Sequence, residues 1–301
     1  LPGKSLVVYD PSLRIPIDVF PCEDGHAQER SLLHEVLPSV EKGDLWIADR
    51  NFCVRSFLFG IDDKEAYFLI RLHAKLPYTP VGDEKAAGSI DGVKVFERNV
   101  MVMDESGKER EFRLIRVALK KATRDGDKEL FLIANLPKTR VHAKVASVLY
   151  RKRWKIETAF QELTEHLRCE INTLGYPPAA LFAFCVALVA YMILAVIKAA
   201  LSSVYGADKV DKEVSGYYIA AELSAIYPGM MIAVSDDKWL FFRQCSQAEL
   251  AVFLRQLAKN VKLSRFKKHT RGPKKPTPKR VSDAKHPHVS TARLLAERKK
   301  K

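Results

Sequence analysis

Leu45-Trp46-Ile47-Ala48-Asp49-Arg50-Asn51 is four apolar residues followed at once by charge. So short an apolar run reads as a buried strand, and its abrupt end puts Asp49 at the strand's carboxyl end. In open α/β sheets ligand sites form at such ends; an Asp there also serves as a helix N-cap, and both readings stay open. Working outward, residues 5–9 (SLVVY) and 15–20 (IPIDVF) are β-rich and flank Asp10-Pro11-Ser12, which predicts an antiparallel hairpin. Residues 27–40 carry Leu32, Leu33, Val36, Leu37 and Val40 at helical spacing, and Gly43 closes the pattern. A helix over about 54–61 and a strand over 67–71 complete a β-β-α-β-α-β series, the order of a mixed α/β sheet.

From 77 to 137 the texture changes. Residues 93–103, 111–119 and 129–136 read as strands, with turns at Glu105-Ser106-Gly107 and Arg124-Asp125-Gly126-Asp127, which makes a β-rich insertion. Residues 141–172 hold no Gly or Pro and read as one long helical stretch; Pro177-Pro178 opens the next element. Residues 179–197 carry no charge and are long enough for a membrane span. Their Ala content and the lack of aromatic or basic anchors on both flanks favour a helix buried in a large core. Residues 206–260 read as a small mixed extension with helices over 217–227 and 247–257, and Pro and Lys beyond about 266 indicate a disordered basic tail. The expected organisation is 1–76 and 138–205 as two parts of one α/β domain, 77–137 as the insertion, 206–265 as the extension and 266–301 as the tail.

The composition, 47% hydrophobic and 29% charged over 301 residues, excludes a wholly disordered chain. Five cysteines without a C-x-x-C argue against a disulfide framework or a thiolate zinc site. Of the net charge of +14, residues 255–301 hold 17 Lys and Arg against Asp283 and Glu297, while the remainder holds 33 against 34 acids. A cationic tail on a neutral body points to a polyanion, most often nucleic acid.

On a continuous helix, taking Tyr150 as zero, Arg153 falls at roughly 300°, Glu157 at roughly 340°, Gln161 at roughly 20° and Thr164 at roughly 320°. These form a polar stripe beside an apolar one of Val145, Ile156, Phe160, Leu163 and Leu167. An ordinary solvated face with i,i+4 pairs gives the same pattern.

Ala48-Asp49-Arg50-Asn51-Phe52, together with Tyr150, Arg153 and Glu157 in the spacing Y-x2-R-x3-E, resembles the second and third acidic motifs of DDE transposases, the insertion-sequence-four family in particular. The resemblance covers about residues 1–200. It implies a ribonuclease H-like mixed sheet flanked by helices, with a β-rich insertion between the second Asp and the Glu. Where the family pattern continues x6-K after the Glu, this chain has Thr164; Lys152 and Lys155 lie nearby. The hairpin corresponds to the family's second and third strands. The first strand and its catalytic Asp are therefore expected before Leu1, with Asp10 as the fallback if the register differs. The opening Leu1-Pro2-Gly3-Lys4, without Met, is likewise expected to lie inside a longer chain.

The resemblance implies phosphodiester chemistry with two Mg²⁺ ions, Mn²⁺ being the substitute, bound by Asp49 and Glu157 as catalytic carboxylates. Hard cations take carboxylate oxygens, and a pair of ions can activate a nucleophile and stabilise the leaving oxygen. By resemblance Tyr150 and Arg153 contact phosphate near the cleaved end; Trp154 stacks on an unpaired base or packs in the core. Lys267, Lys268, Arg271, Lys274 and Lys275 of the tail add salt-sensitive phosphate contacts. The partners implied are double-stranded DNA, as element ends and as target, and no membrane; synapsis of two ends calls for a homodimer on DNA. The location implied is the prokaryotic cytoplasm beside the nucleoid. The reading is a transposase that cuts and joins DNA at the ends of its insertion sequence, in a chain that lacks the first Asp and is expected not to cleave alone. The alternative is a catalytically inactive DNA-binding remnant or regulator of the same fold.

Overall fold

Asp10 turns the chain back on itself: its Oδ1 accepts the N–H groups of Ser12 at 2.6 Å and Leu13 at 3.0 Å. The strands on either side, β1 (Lys4–Asp10) and β2 (Ile15–Cys22), form the expected antiparallel hairpin. The computed structural model describes residues 4–104, 106–122, 126–166 and 176–269. These belong to a unit ending at Lys267, apart from Lys268 and His269, which start a second; residues 270–301, and with them the expected tail, lie outside the described residues. The hairpin is a two-stranded sheet of its own. Its alternating side chains serve two cores: Leu6, Val8 and Phe20 join the main one, whereas Val7, Tyr9 and Val19 pack on Ala159, Leu163, Leu188 and Tyr191.

The single helix expected over 27–40 is corrected to a broken run: a 3-10 turn (Glu29–Leu32), the short α1 (Leu33–Val36) and a second 3-10 turn (Leu37–Ser39). The hydroxyls of Ser31 and Ser39 bond back to the carbonyls of Gln28 and Val36, and Pro38 cannot continue a helix. Leu32, Leu33, Val36 and Val40 are buried all the same. β3 (Leu45–Ala48) then pairs in parallel with β4 (Tyr67–Arg71), joined by α2 (Arg55–Asp63).

The strands of the β-rich stretch continue this same sheet. β5 (Thr79–Ile90), β6 (Val93–Met103), β7 (Glu109–Ala118) and β8 (Glu129–Ala134) give the order β3-β4-β8-β7-β6-β5, with every pairing beyond β3–β4 antiparallel. Helices flank it: Phe68, Ile70, Leu114 and Ile133 face the core shared with α1 and α2, and Leu69, Ile115, Leu132 and Ala134 face the next helix. That helix is α3 (Ala143–Arg151), followed by α4 (Trp154–His166). The long helix expected over 141–172 is thus interrupted. The N–H groups of Lys152 and Arg153 bond three residues back, to Leu149 and Tyr150, and tighten the chain into a turn; residues 167–175 lie outside the described residues. Because α3 is a separate helix, its buried face is Ala143, Ala146, Ser147 and Tyr150, and Val145, expected in the apolar stripe, is 47% exposed.

The charge-free stretch forms α5 (Pro177–Tyr205), ended by Gly206 at φ 87°. α6 (Ala207–Glu213), α7 (Gly216–Ala233), α8 (Asp236–Gln244) and α9 (Gln247–Lys259) follow, so the expected mixed extension is helical among the described residues. α9 starts with a capping box between Ser246 and Glu249. α5 is the described helix that is apolar and long enough to cross a membrane, and the expectation of a core helix is met along one face only: Ala187, Leu188, Tyr191, Leu194 and Leu201 are buried.

Candidate catalytic and DNA-contacting site

A cavity of about 530 Å³ lies between the unpaired edges of two strands. Residues 6–12 of the hairpin form one wall and residues 44–49, ending at Asp49, form the other. Leu149, Lys152, Arg153, Lys155 and Ile156, at the junction of α3 and α4, close it. The Lys155 ammonium donates to the Pro11 carbonyl at 3.1 Å and ties that junction to the hairpin turn.

Asp49 is half-buried at the end of β3. Its Oδ1 accepts the N–H of Asn51 at 2.8 Å and caps a 3-10 turn (Arg50–Phe52). Tyr150, in the last turn of α3, is buried among Leu69, Ala134 and Ala146. Burial pushes its hydroxyl pKa up, the Asp49 carboxylate pushes the same way, and Arg153 and Arg71 oppose them, so at neutral pH the phenol keeps its proton. Asp49 thus lies within electrostatic range of the Tyr150 hydroxyl. Arg153 donates from Nη1 to Glu157 Oε1 at 2.8 Å, and its Nε is buried without a hydrogen-bond partner. The turn between the helices brings its guanidinium to 5.6 Å from the Trp154 ring, which is 63% exposed rather than packed in the core. Asp49 and Arg153 therefore line one cavity, with Glu157 held by Arg153; Tyr150 and Glu157 are not among the lining residues. Lys267 is exposed where Val214 bridges it, Lys268 is exposed, and Arg271, Lys274 and Lys275 lie outside the described residues.

Sequence reasoning missed Arg71, which ends β4 beside Asp49's strand and pairs with Asp127 at 2.5 Å. Its signal is the one used for Asp49: a charge closing an apolar run at a strand's carboxyl end. Asp49 and Glu157 are hard oxygen donors of the kind Mg²⁺ takes. Yet Asp49 uses one oxygen as a cap and Glu157 holds Arg153, and among the described residues no three His, Cys, Asp or Glu side chains gather as metal ligands. By themselves these residues do not fit a two-ion centre.

A six-stranded mixed sheet flanked by helices is consistent with a ribonuclease H-like transposase domain. Residues 4–193 match the family of the transposase DDE domain, and the chain belongs to that family. The y4zB protein of Sinorhizobium fredii, which carries a transposase name, is 25% identical over 196 residues, 64% of this chain and 52% of that protein. The chain thus spans about half the length of that relative.

Proposed function

We propose that the chain provides the catalytic domain of a DNA transposase of the insertion-sequence-four family, cutting and joining DNA at the ends of its own element. The observation that carries this is that Asp49 and Arg153, far apart in the chain, line one cavity. In this reading Asp49 and Glu157 are the catalytic, metal-binding carboxylates. Arg153 holds phosphate through its planar fork, Tyr150 supports it, and the exposed Trp154 stacks on an unpaired base. Lys267, Lys268, Arg271, Lys274 and Lys275 bind the backbone without regard to sequence. The protein works in the cytoplasm beside the nucleoid.

The missing donor is a third carboxylate. β1 and β3 each leave an edge unpaired, and a cavity lined by residues 6–12 and 44–49 supports reading that space as the place of a further strand. A strand seated there with an Asp beside Asp49 would complete a donor set for the divalent ions that DDE transposases use, two Mg²⁺ or Mn²⁺ in this reading. Without that strand the chain is expected to bind DNA and not to cut it, which is the alternative, inactive-remnant reading. The test is Mg²⁺-dependent nicking of an element-end duplex by the chain alone and by a version extended with its upstream coding sequence. Nicking by the extended version alone, abolished by Asp49→Asn and Glu157→Gln, supports the enzyme. Nicking by the 301-residue chain overturns the need for the strand, and binding without nicking by both leaves the remnant.

A further inference from the structure

The edge strand β5 is packed along α3, where Ala87, Val93 and Val95 share a core with Ala143, Ala146 and Tyr150. Cations mark this edge at steps of three residues. Lys85 pairs in register with Glu97, whose carboxylate faces Arg113 and the segment leading into α3. The Lys144 stem lies across Gly88, its Cδ 3.2 Å from where a Cβ would stand. Arg151 is bridged to Asp91 at 3.1 Å. The Lys120 ammonium adds to the row, 3.0 Å from where a Cβ of Gly92 would stand. A side chain at either glycine would displace the lysine above it. Between residues 85 and 99 the acids are Asp91 and Glu97, and Glu97 is already held by Arg113 at 2.7 Å. Lys85, Lys120 and Lys144 are exposed and make no ion pair among the described residues.

We propose that this row is a second phosphate tract, which carries DNA duplex out of the cavity along the outer edge of the sheet. Residues 85 to 91 cover roughly 20 Å of strand, the length of about six base-pair steps. The row ends at Arg151, and the next residue, Lys152, lines the cavity. Lysines on an edge strand also serve to keep sheets from pairing. That accounts for Lys85 but not for two lysines from other elements laid over glycines of the β5–β6 hairpin. The tract deepens the transposase reading and rests on it for the presence of DNA at the cavity.

Fluorescence anisotropy on the full chain tests this, with a labelled random-sequence duplex of about 20 base pairs titrated at salt from about 50 to 200 mM. Lys85→Ala, Lys120→Ala and Lys144→Ala together are expected to weaken binding about 10- to 100-fold at the low-salt end and to flatten the salt dependence by about three phosphate contacts. Removing the exposed Lys209, Lys212 and Lys238 of α6 and α8 takes away the same formal charge and is expected to cost under about threefold. Melting temperatures show that both triple variants fold. Equal losses in the two variants, or no loss in the first, overturn the tract. Arg153→Ala on the same duplex separates the two readings. If it weakens binding and the first triple variant does not, the tract falls and the transposase site stands. If only the triple variant weakens binding, the tract stands and the DNA role of the site falls. A chain that binds no duplex overturns both.

Discussion

Replacing Glu97 with Ala should cost about 3–5 kcal/mol of stability, because it strands a buried positive charge. Arg113, on β7, is 5% exposed. Its Nε donates to Glu97 Oε1 on β6 at 2.7 Å, and its Nη1 donates to the carbonyls of Leu136 at 2.7 Å and Val141 at 2.8 Å. Removing the carboxylate leaves the guanidinium with carbonyl dipoles alone in a site water scarcely reaches. Against a usual total of about 5–15 kcal/mol this is a large fraction, and it should lower the melting temperature by roughly 6–20 °C. Lys138 is the internal control: its ammonium lies 3.6 Å from the same carboxylate but is 51% exposed, so Lys138→Ala should cost at most about 1 kcal/mol. Glu97→Leu with Arg113→Met should be more stable than Glu97→Ala alone, since nothing charged is then left buried. Urea unfolding followed by circular dichroism gives the three differences from the unsubstituted chain. Because Arg113 also pins the segment that leads into α3, amide exchange at residues 138–142 should speed up in Glu97→Ala. A loss under about 1 kcal/mol, or a double variant no better than the single one, would refute the reasoning.

Arg153→Ala should lower duplex affinity about tenfold and reduce the salt dependence by about one phosphate contact, read by fluorescence anisotropy; unchanged binding removes Arg153 from the DNA surface. Tyr9 and Tyr191 share a hydrogen bond of 3.2 Å, and burial raises both hydroxyl pKa values above the ordinary 10.0. The neutral forms are the ones that fold, so this stability is complete below pH 10 and is lost as the pH climbs past it; melting temperatures should fall there and fall less in Tyr191→Phe. Burial pushes the Cys53 thiol up to about 11, so iodoacetamide at neutral pH should label it after the half-buried Cys22 and Cys185, with peptide mass spectrometry giving the order.

What the sequence disclosed depended on whether apolar residues carried the message. β4 was legible to the residue because its run, Tyr67–Arg71, is buried in a sheet covered on both faces. β5 was invisible: Thr79–Ile90 is an edge strand whose side chains are nearly all exposed, so no alternation marks it. The interruption at Lys152–Arg153 left no Gly or Pro to read, and it rotated Tyr150 from the supposed polar stripe into the core. At Asp49 the two readings proved compatible, since one carboxylate oxygen caps a turn at the rim of a cavity. The charge-free stretch was plain, but its division into an inward and an outward stripe depends on which neighbours fold against it.

The hairpin shares no backbone ladder with the six-stranded sheet; Tyr9 meets Tyr191 on α5, and Arg14 is ion-paired with Asp211 on α6. The two walls of the slot are therefore anchored differently: the Asp49 wall by the hydrogen bonds of the sheet, the hairpin wall by side chains, on the main core and on the helices behind it.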